Sequence, residues 1–118
     1  TLSPIPGLNT WLETAGPALQ EADARALAAH YLLEAKRSDG SPYDPVARFH
    51  LGNGARVHAV HAGADTSVNG LAQSGGTMVN YLYDLAQIAQ NHEKFVTEQT
   101  VAASSEVRAL SASLTPKA

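Results

Sequence analysis

The chain has 118 residues, enough for one small domain or part of one, and only 16% of them are charged, which predicts a surface partly covered by other protein. A net charge of −3 without a lysine or arginine run argues against a nucleic-acid partner, and no apolar run approaches the roughly 20 residues of a membrane span. The lack of cysteine excludes a disulfide framework, a thiolate metal site and a cysteine nucleophile, and it fits a cytoplasmic location.

The first residues place a serine in a stiff, extended segment. Pro4 disfavours helical geometry for Ser3, and both Pro4 and Pro6 have fixed φ angles. The apolar spacing that follows predicts a short helix from Leu8 to the Gly16–Pro17 pair. A rigid backbone would hold the Ser3 hydroxyl in place as a reactive group. A turn serine that bonds to nearby backbone is the alternative.

A second helix is predicted over EADARALAAHYLLEAKR, residues 21–37. Leu27, Tyr31 and Leu32 recur at helical spacing. Acidic residues, Glu21 and Asp23, lie at its start and basic residues lie at its end, which complements the helix dipole.

A hairpin is predicted next. Pro45 opens a strand from Val46 to Leu51, and the Asn53–Gly54 pair is a strong two-residue turn signal because both residues tolerate positive φ. Ala55 to His61 is the expected partner strand. The chain is therefore predicted to be α+β, with helices plus an antiparallel hairpin around Asn53–Gly54. His50, one strand position before Leu51, could be a general acid or base, or a half-buried histidine bonded to a neighbour.

The rest of the chain predicts two more helices. A glycine-broken connector, residues 63–76, precedes a long helix expected from about Thr77 to Phe95, and its N–H groups ahead of that helix could bind an anion, with a plain connector as the alternative. The apolar stripe of this helix contains Met78, Tyr81, Leu82, Leu85, Ile88 and Ala89. Asn80 and Tyr83 are three apart on the polar flank of this helix, where they could line a site or form a solvated face. A last helix is expected from about Glu98 to Leu114.

No metal site is predicted. His58 and His61 are candidate ligands, with His92 as a third, but residues three apart on a regular strand point to opposite faces. Only a bulge would bring the two rings together, and no acidic cluster completes a site.

Six segments in this order resemble the malonyl-CoA decarboxylase family: LSPIPGLNTWL, HYL, DPVARFHLGNGA, ADTS, GLAQSGGTMVNYLYDL and NHEKF. The resemblance implies an acetyltransferase-like (GNAT) fold, of which this chain would be the C-terminal half. It also implies that the catalytic pair is Ser3, from S-P-I-P-G, and His50, from F-H-L. The second tyrosine of N-Y-x-Y, Tyr83, would lie at the site, and Asn80 is expected beside it as a substrate contact.

The implied activity is decarboxylation of malonyl-CoA to acetyl-CoA and carbon dioxide, as part of fatty acid metabolism. A malonyl thioester accepts the released electrons in its own carbonyl, so no metal or organic cofactor is expected. Ser3 would bond the carboxylate or the carbonyl, and His50 would give the enolate its proton. The expected partners are malonyl-CoA, the remainder of the catalytic domain and further copies of the chain in a homo-oligomer.

Other functions remain open at this point. The chain starts in a proline-rich turn without an initiator methionine, which predicts a fragment of a larger protein, and it has no counterpart of the glycine-rich loop that binds the CoA pyrophosphate in GNAT enzymes. An acyl-CoA N-acyltransferase of the same fold and a non-catalytic CoA-binding or interaction module are the alternatives. A Ser-His hydrolase is disfavoured because the G-x-S-x-G sequence is missing.

Overall fold

A computed structural model describes residues 1–15 and 22–114 of the chain. The described part has six helices and a three-stranded sheet, which confirms the predicted α+β class. In chain order the elements are β1 Leu2–Ser3, α1 Leu8–Ala15, α2 Ala24–Glu34, α3 Pro45–Gly52, β2 Arg56–His61, α4 Val68–Ser74, β3 Met78–Leu82, α5 Ile88–Glu98 and α6 Ser105–Ala112.

The sheet is antiparallel, in the order β1-β3-β2. Its register shifts between Val57 and Ala59, so that Val57 and Val60 are both buried although three positions separate them. Helix α2 lies against the sheet and contributes the buried Tyr31 and Leu32 to the same core as Tyr81 of β3. No helix in the described part of the chain is long and apolar enough to cross a membrane.

The predicted strand from Val46 to Leu51 is wrong, because these residues form helix α3. Asp44 is its N-cap, and its side chain accepts hydrogen bonds from the backbone N–H groups of Val46 and Ala47. Pro45 follows at the first helical position, where its missing N–H costs nothing. Asp-Pro ahead of an apolar run was therefore a helix start rather than a strand start.

The predicted hairpin turn at Asn53–Gly54 is also wrong. Asn53 ends helix α3, and Gly54 follows with a φ of 88°. The Gly54 N–H donates to the carbonyl of Leu51 and the Ala55 N–H donates to that of His50. This is the hydrogen-bond pattern of a helix that stops at a glycine. Asn-Gly is common in hairpin turns because glycine readily adopts a positive φ, and the same property makes the pair suitable for the end of a helix.

We expect Gly54→Ala to lower the free energy of unfolding by about 1–3 kcal/mol. A Cβ added at Gly54 would lie 2.5 Å from the backbone oxygen of Ile88, on a residue whose φ is 88°. Gly52 is the matched control, because a Cβ there meets nothing within 4 Å. Gly52→Ala should be neutral or should stabilise by up to about 1 kcal/mol. Urea unfolding of both variants measures the difference, and equal effects would show that Gly54 is not constrained.

The long helix predicted from Thr77 to Phe95 is wrong in its first half. Met78–Leu82 is strand β3, and helix α5 begins only at Ile88. Val79 and Tyr81 are buried while their neighbours are partly exposed, the alternation of a strand. Leu85, placed on the apolar stripe of the predicted helix, is 88% exposed. The connector before β3 contains helix α4, so there is no helix start at Thr77 to bind an anion.

The other predicted helices are confirmed, with different ends. Helix α1 begins at Leu8 as predicted, and its predicted end at Gly16–Pro17 lies outside the described residues. Helix α2 starts one residue after its N-cap, Asp23, while Glu21 lies outside the described residues. The last helix, α6, begins at Ser105, capped by Ser104, rather than near Glu98.

Candidate active site

Three polar side chains from distant parts of the sequence meet in one hydrogen-bonded row. The Oγ of Ser3 lies 3.1 Å from Nε2 of His50, although 47 positions separate the two residues. The other ring nitrogen of His50, Nδ1, lies 2.5 Å from the hydroxyl of Tyr83. The expected proximity of Ser3 and His50 is thus found, and Tyr83 is the second partner of the imidazole.

Ser3 is held by the sheet and by the core. Its strand, β1, pairs with the central strand β3, with Ser3 opposite Val79. Two residues later Ile5 is completely buried. Pro4, between these two anchor points, and Pro6, directly after them, have fixed φ angles and remove backbone freedom. Ser3 is 5% exposed, so its hydroxyl has a fixed position rather than a choice of solvent-facing rotamers.

His50 lies in the last turn of α3, and aromatic rings surround it. The ring of Tyr81 stacks on the imidazole with centroids 4.4 Å apart and planes 24° apart. The rings of Phe49 and Tyr83 contact it edge-on. The stacked ring of Tyr81 and the hydrogen bonds at both ring nitrogens together restrict the imidazole of His50 to one orientation. Tyr81 is thus a positioning residue for His50.

Asp44 joins the segment that carries Ser3 to the helix that carries His50. Its carboxylate is 1% exposed and accepts four hydrogen bonds. Oδ1 accepts from the Gly7 N–H and from the hydroxyl of Tyr31 on α2. Oδ2 accepts from the two N–H groups at the start of α3. One buried group therefore sets the relative position of both predicted catalytic residues.

Burial governs the protonation of the site. It lowers the pKa of His50 below its usual value, because a buried imidazolium loses its hydration. Burial also raises the pKa of the Tyr83 hydroxyl. Near pH 7 both groups are therefore neutral in the free protein. A neutral imidazole has one N–H, so His50 donates to one of its two partners and accepts from the other.

We expect His50 to make the protein less stable in acid. Since its pKa is lower in the folded than in the unfolded state, the unfolded state binds the proton more readily. The folded state should lose stability as the pH falls below the unfolded value of about 6.5, until the folded pKa is passed. Urea unfolding from about pH 5 to pH 8 should show this loss in the wild type relative to His50→Gln. Parallel curves for the two proteins would contradict the low pKa.

Asn80 is not brought to the row. It lies on β3 next to Tyr81, so the two side chains point to opposite faces of the sheet. Its side-chain oxygen accepts from the amino group of Thr1 at 3.2 Å. Tyr83, by contrast, lies just beyond β3, where the chain leaves the sheet. The role of Asn80 as a substrate contact stays a prediction.

The three other histidines considered as metal ligands do not form a cluster. A regular strand would point His58 and His61 to opposite faces, but β2 has a register shift between Val57 and Ala59, which is the bulge that the prediction named as the exception. The expected separation of the two side chains onto opposite faces is therefore wrong. Both are exposed, and His92 instead bonds the carbonyl of Gly52. Within residues 1–15 and 22–114 no group of three histidine, aspartate or glutamate side chains could hold a metal ion.

Two residues of the site, Tyr81 and Asp44, are not predicted from the sequence. The predicted helix places Tyr81 on its apolar stripe, and MVNYL has no apolar–polar alternation that would indicate the strand. Asp44 has no predicted role, although aspartate before proline is a common helix start.

Comparison with known proteins identifies the family. A model of the malonyl-CoA decarboxylase C-terminal domain matches residues 17–118. The chain belongs to the malonyl-CoA decarboxylase family. This confirms the resemblance carried by the sequence motifs. The match begins after Ser3, so the serine segment lies outside it.

Solved structures and curated relatives agree with this assignment. The crystal structure of malonyl-CoA decarboxylase from Rhodopseudomonas palustris has a TM-score of 0.84 and 40% identity and covers 93% of this chain. That from Agrobacterium vitis has a TM-score of 0.82 and 36% identity over the same share. The mitochondrial malonyl-CoA decarboxylase of the goose Anser anser anser is 41% identical over 81 residues, 69% of this chain.

The chain is much shorter than these family members. It spans 16% of the goose protein, 32% of the Rhodopseudomonas chain and 34% of the Agrobacterium chain.

Proposed function

We propose that the protein carrying this chain converts malonyl-CoA to acetyl-CoA and carbon dioxide, with Ser3 and His50 at the reacting group. The observation that carries this proposal is the hydrogen-bonded row Ser3–His50–Tyr83 in a member of the malonyl-CoA decarboxylase family. A buried hydroxyl and imidazole in contact supply a hydrogen-bond donor and a proton carrier, the two groups that the reaction needs.

The reaction breaks the bond between the α-carbon and the carboxylate of the malonyl group. The electron pair moves into the thioester carbonyl, which gives an enolate, and carbon dioxide leaves. The α-carbon then gains one proton and becomes the methyl group of acetyl-CoA. Because the substrate's own carbonyl accepts the electrons, the protein has to stabilise the enolate oxygen and deliver the proton. We expect no metal or organic cofactor.

His50 is the proton donor in this scheme. It is neutral in the free protein, but the carboxylate of bound malonyl-CoA is an opposite charge that favours the imidazolium. The imidazolium donates from Nδ1 to Tyr83 and from Nε2 towards Ser3. When carbon dioxide leaves, the proton on Nε2 moves to the α-carbon, and the Ser3 hydroxyl donates to the enolate oxygen.

The rest of the expected context is part of the same proposal. The described α+β unit would be the C-terminal half of an acetyltransferase-like domain, and the remainder of that domain would bind the CoA phosphates. We expect a homo-oligomer. A cytoplasmic location stays a prediction, and the goose and rat family members carry the word mitochondrial in their names.

The test is product formation by the complete protein with malonyl-CoA and no acceptor amine. We expect acetyl-CoA and carbon dioxide in equal amounts. An N-acyltransferase would transfer the acyl group to an amine and release free CoA, so it would not react without an acceptor, and a non-catalytic module would release no carbon dioxide. Ser3→Ala should slow product formation by at least about tenfold, the effect of one lost hydrogen bond to a charged group. The exposed Ser38, changed to alanine, is the control and should leave the rate unchanged.

A further inference from the structure

A cavity that shares no lining residue with the row includes Asp84, the residue after Tyr83, in its wall. The cavity has a volume of about 330 Å³, within the range of small-molecule sites, and is walled by the start of β2, the turn after β3, and helices α5 and α6. Its charged lining residues are Arg56, Asp84, Lys94 and Arg108, and the amide side chains of Gln87 and Asn91 complete the polar wall.

The lining has an excess of positive charge. Three cationic side chains and one carboxylate leave a net charge of +2 around the cavity. In the described ranges 1–15 and 22–114 the single salt bridge joins Arg25 to Glu106. Within the described residues, therefore, the three cations of the cavity and Asp84 form no ion pair. Like charges gathered around a concave surface raise the local concentration of anions.

One arginine of the lining has a donor without an acceptor. The Nε–H of Arg56 is buried and has no hydrogen-bond partner among the described residues. One guanidinium nitrogen of Arg108 donates to the carbonyl of Val101, which fixes that side chain and leaves its other N–H groups for a ligand. Buried donors in folded proteins almost always have a partner, and the planar forks of two arginines match carboxylate and phosphate oxygens.

We propose that this cavity binds a small oxyanion with two negative charges, an organic phosphate or a dicarboxylate, at a site separate from Ser3, His50 and Tyr83. Arg56 supplies its guanidinium charge, Arg108 supplies the N–H groups that do not bond Val101, and the exposed Lys94 supplies a further positive charge. The carboxylate of Asp84 repels an anion and reduces the net charge of the lining to +2, which matches a ligand with two negative charges. The inference does not depend on the decarboxylase proposal, because none of these residues belongs to the row.

Isothermal titration calorimetry of the complete protein with inorganic phosphate and, separately, with malonate tests this site. Both titrations are made at matched ionic strength in sodium chloride, so that screening alone cannot produce a signal. The anion that binds more tightly identifies the phosphate or the dicarboxylate class. The same titrations on His50→Ala show whether the anion is in the cavity or in the row.

The proposal predicts weaker anion binding when a cation of the cavity is removed and tighter binding when its carboxylate is removed. Lys94→Gln and Arg108→Gln change exposed residues and should each weaken binding by about tenfold, the effect of one lost charged hydrogen bond. Arg56→Gln should weaken it at least as much. Asp84→Asn keeps an acceptor for the Ala86 N–H but removes a negative charge, so it should tighten binding. The exposed Arg37, changed to glutamine, makes the same charge change elsewhere and should have no effect.

Saturable binding that follows this order, and that persists in His50→Ala, would support the site. The proposal would be overturned if neither anion gave saturable binding, if Arg37→Gln weakened binding as much as Arg108→Gln, or if His50→Ala abolished it.

Discussion

Replacing His50 by alanine in the complete protein should lower kcat for acetyl-CoA formation by roughly 10²–10⁴, the usual range for a removed acid–base group. His50 is the group in the row best suited to gain and release a proton near pH 7, since the ordinary pKa of an imidazole is about 6.5. The pKa of Tyr83 lies above its ordinary value of about 10, so its hydroxyl holds its proton more tightly. The assay uses saturating malonyl-CoA, and circular dichroism checks that the variant is folded.

Tyr83→Phe is the matched comparison, because it keeps the ring that contacts His50 and removes only the hydroxyl. Its effect should be that of one hydrogen bond, about 0.5–1.5 kcal/mol or roughly tenfold in kcat. A larger loss of kcat in Tyr83→Phe than in His50→Ala would reverse the roles. The tyrosine would then be the proton donor, with His50 as its partner.

Asp44→Ala should lower the free energy of unfolding by about 3–5 kcal/mol, since it removes a helix cap and leaves buried donors without an acceptor. The Tyr31 hydroxyl and the Gly7 N–H both lose the partner that Asp44 provides. Asp44→Ala should also lower kcat, because Gly7 follows the Ser3 segment and α3 carries His50, so the change disturbs the candidate active site.

Asp23 is the matched control for Asp44. Its side chain also caps a helix with two backbone hydrogen bonds, but it is exposed. In the described part of the chain it bonds no group outside that helix. Asp23→Ala should cost about 1 kcal/mol and leave kcat unchanged. Urea unfolding gives the two stabilities, and kcat is measured at a temperature where both variants are folded. Equal losses of stability would mean that Asp44 acts as a helix cap and nothing more.

Local pattern was sufficient for some of the fold. Helix α2 has helical apolar spacing and an aspartate cap, and both signals lie within a few residues of each other, so no distant contact was needed to predict it. The same holds for strand β2, although its bulge and its true partner were not predictable. Sequence motifs alone also selected Ser3, His50 and Tyr83.

Two segments needed the tertiary structure, because their local signals fit more than one element. The segment VARFHL has only six residues, and its apolar and polar side chains fit a short strand as well as two helical turns. Asp44, the cap of helix α3, also accepts hydrogen bonds from the distant residues Gly7 and Tyr31. These tertiary contacts favour the helix over the strand. The apolar positions of MVNYLYDL fit both periods, and pairing with β1 and β2 selects the strand.

The sequence by itself determined the α+β class, the family and the three side chains of the row, Ser3, His50 and Tyr83. Tertiary structure decided that His50 lies on a helix, that Tyr81 stacks beneath it and that Asn80 faces away. The physical reason is distance along the chain. The contacts between Ser3, His50 and Tyr83 depend on the pairing of β1 with β3 and on the hydrogen bonds by which Asp44 joins α3 to the N-terminal segment, and no local propensity encodes either contact.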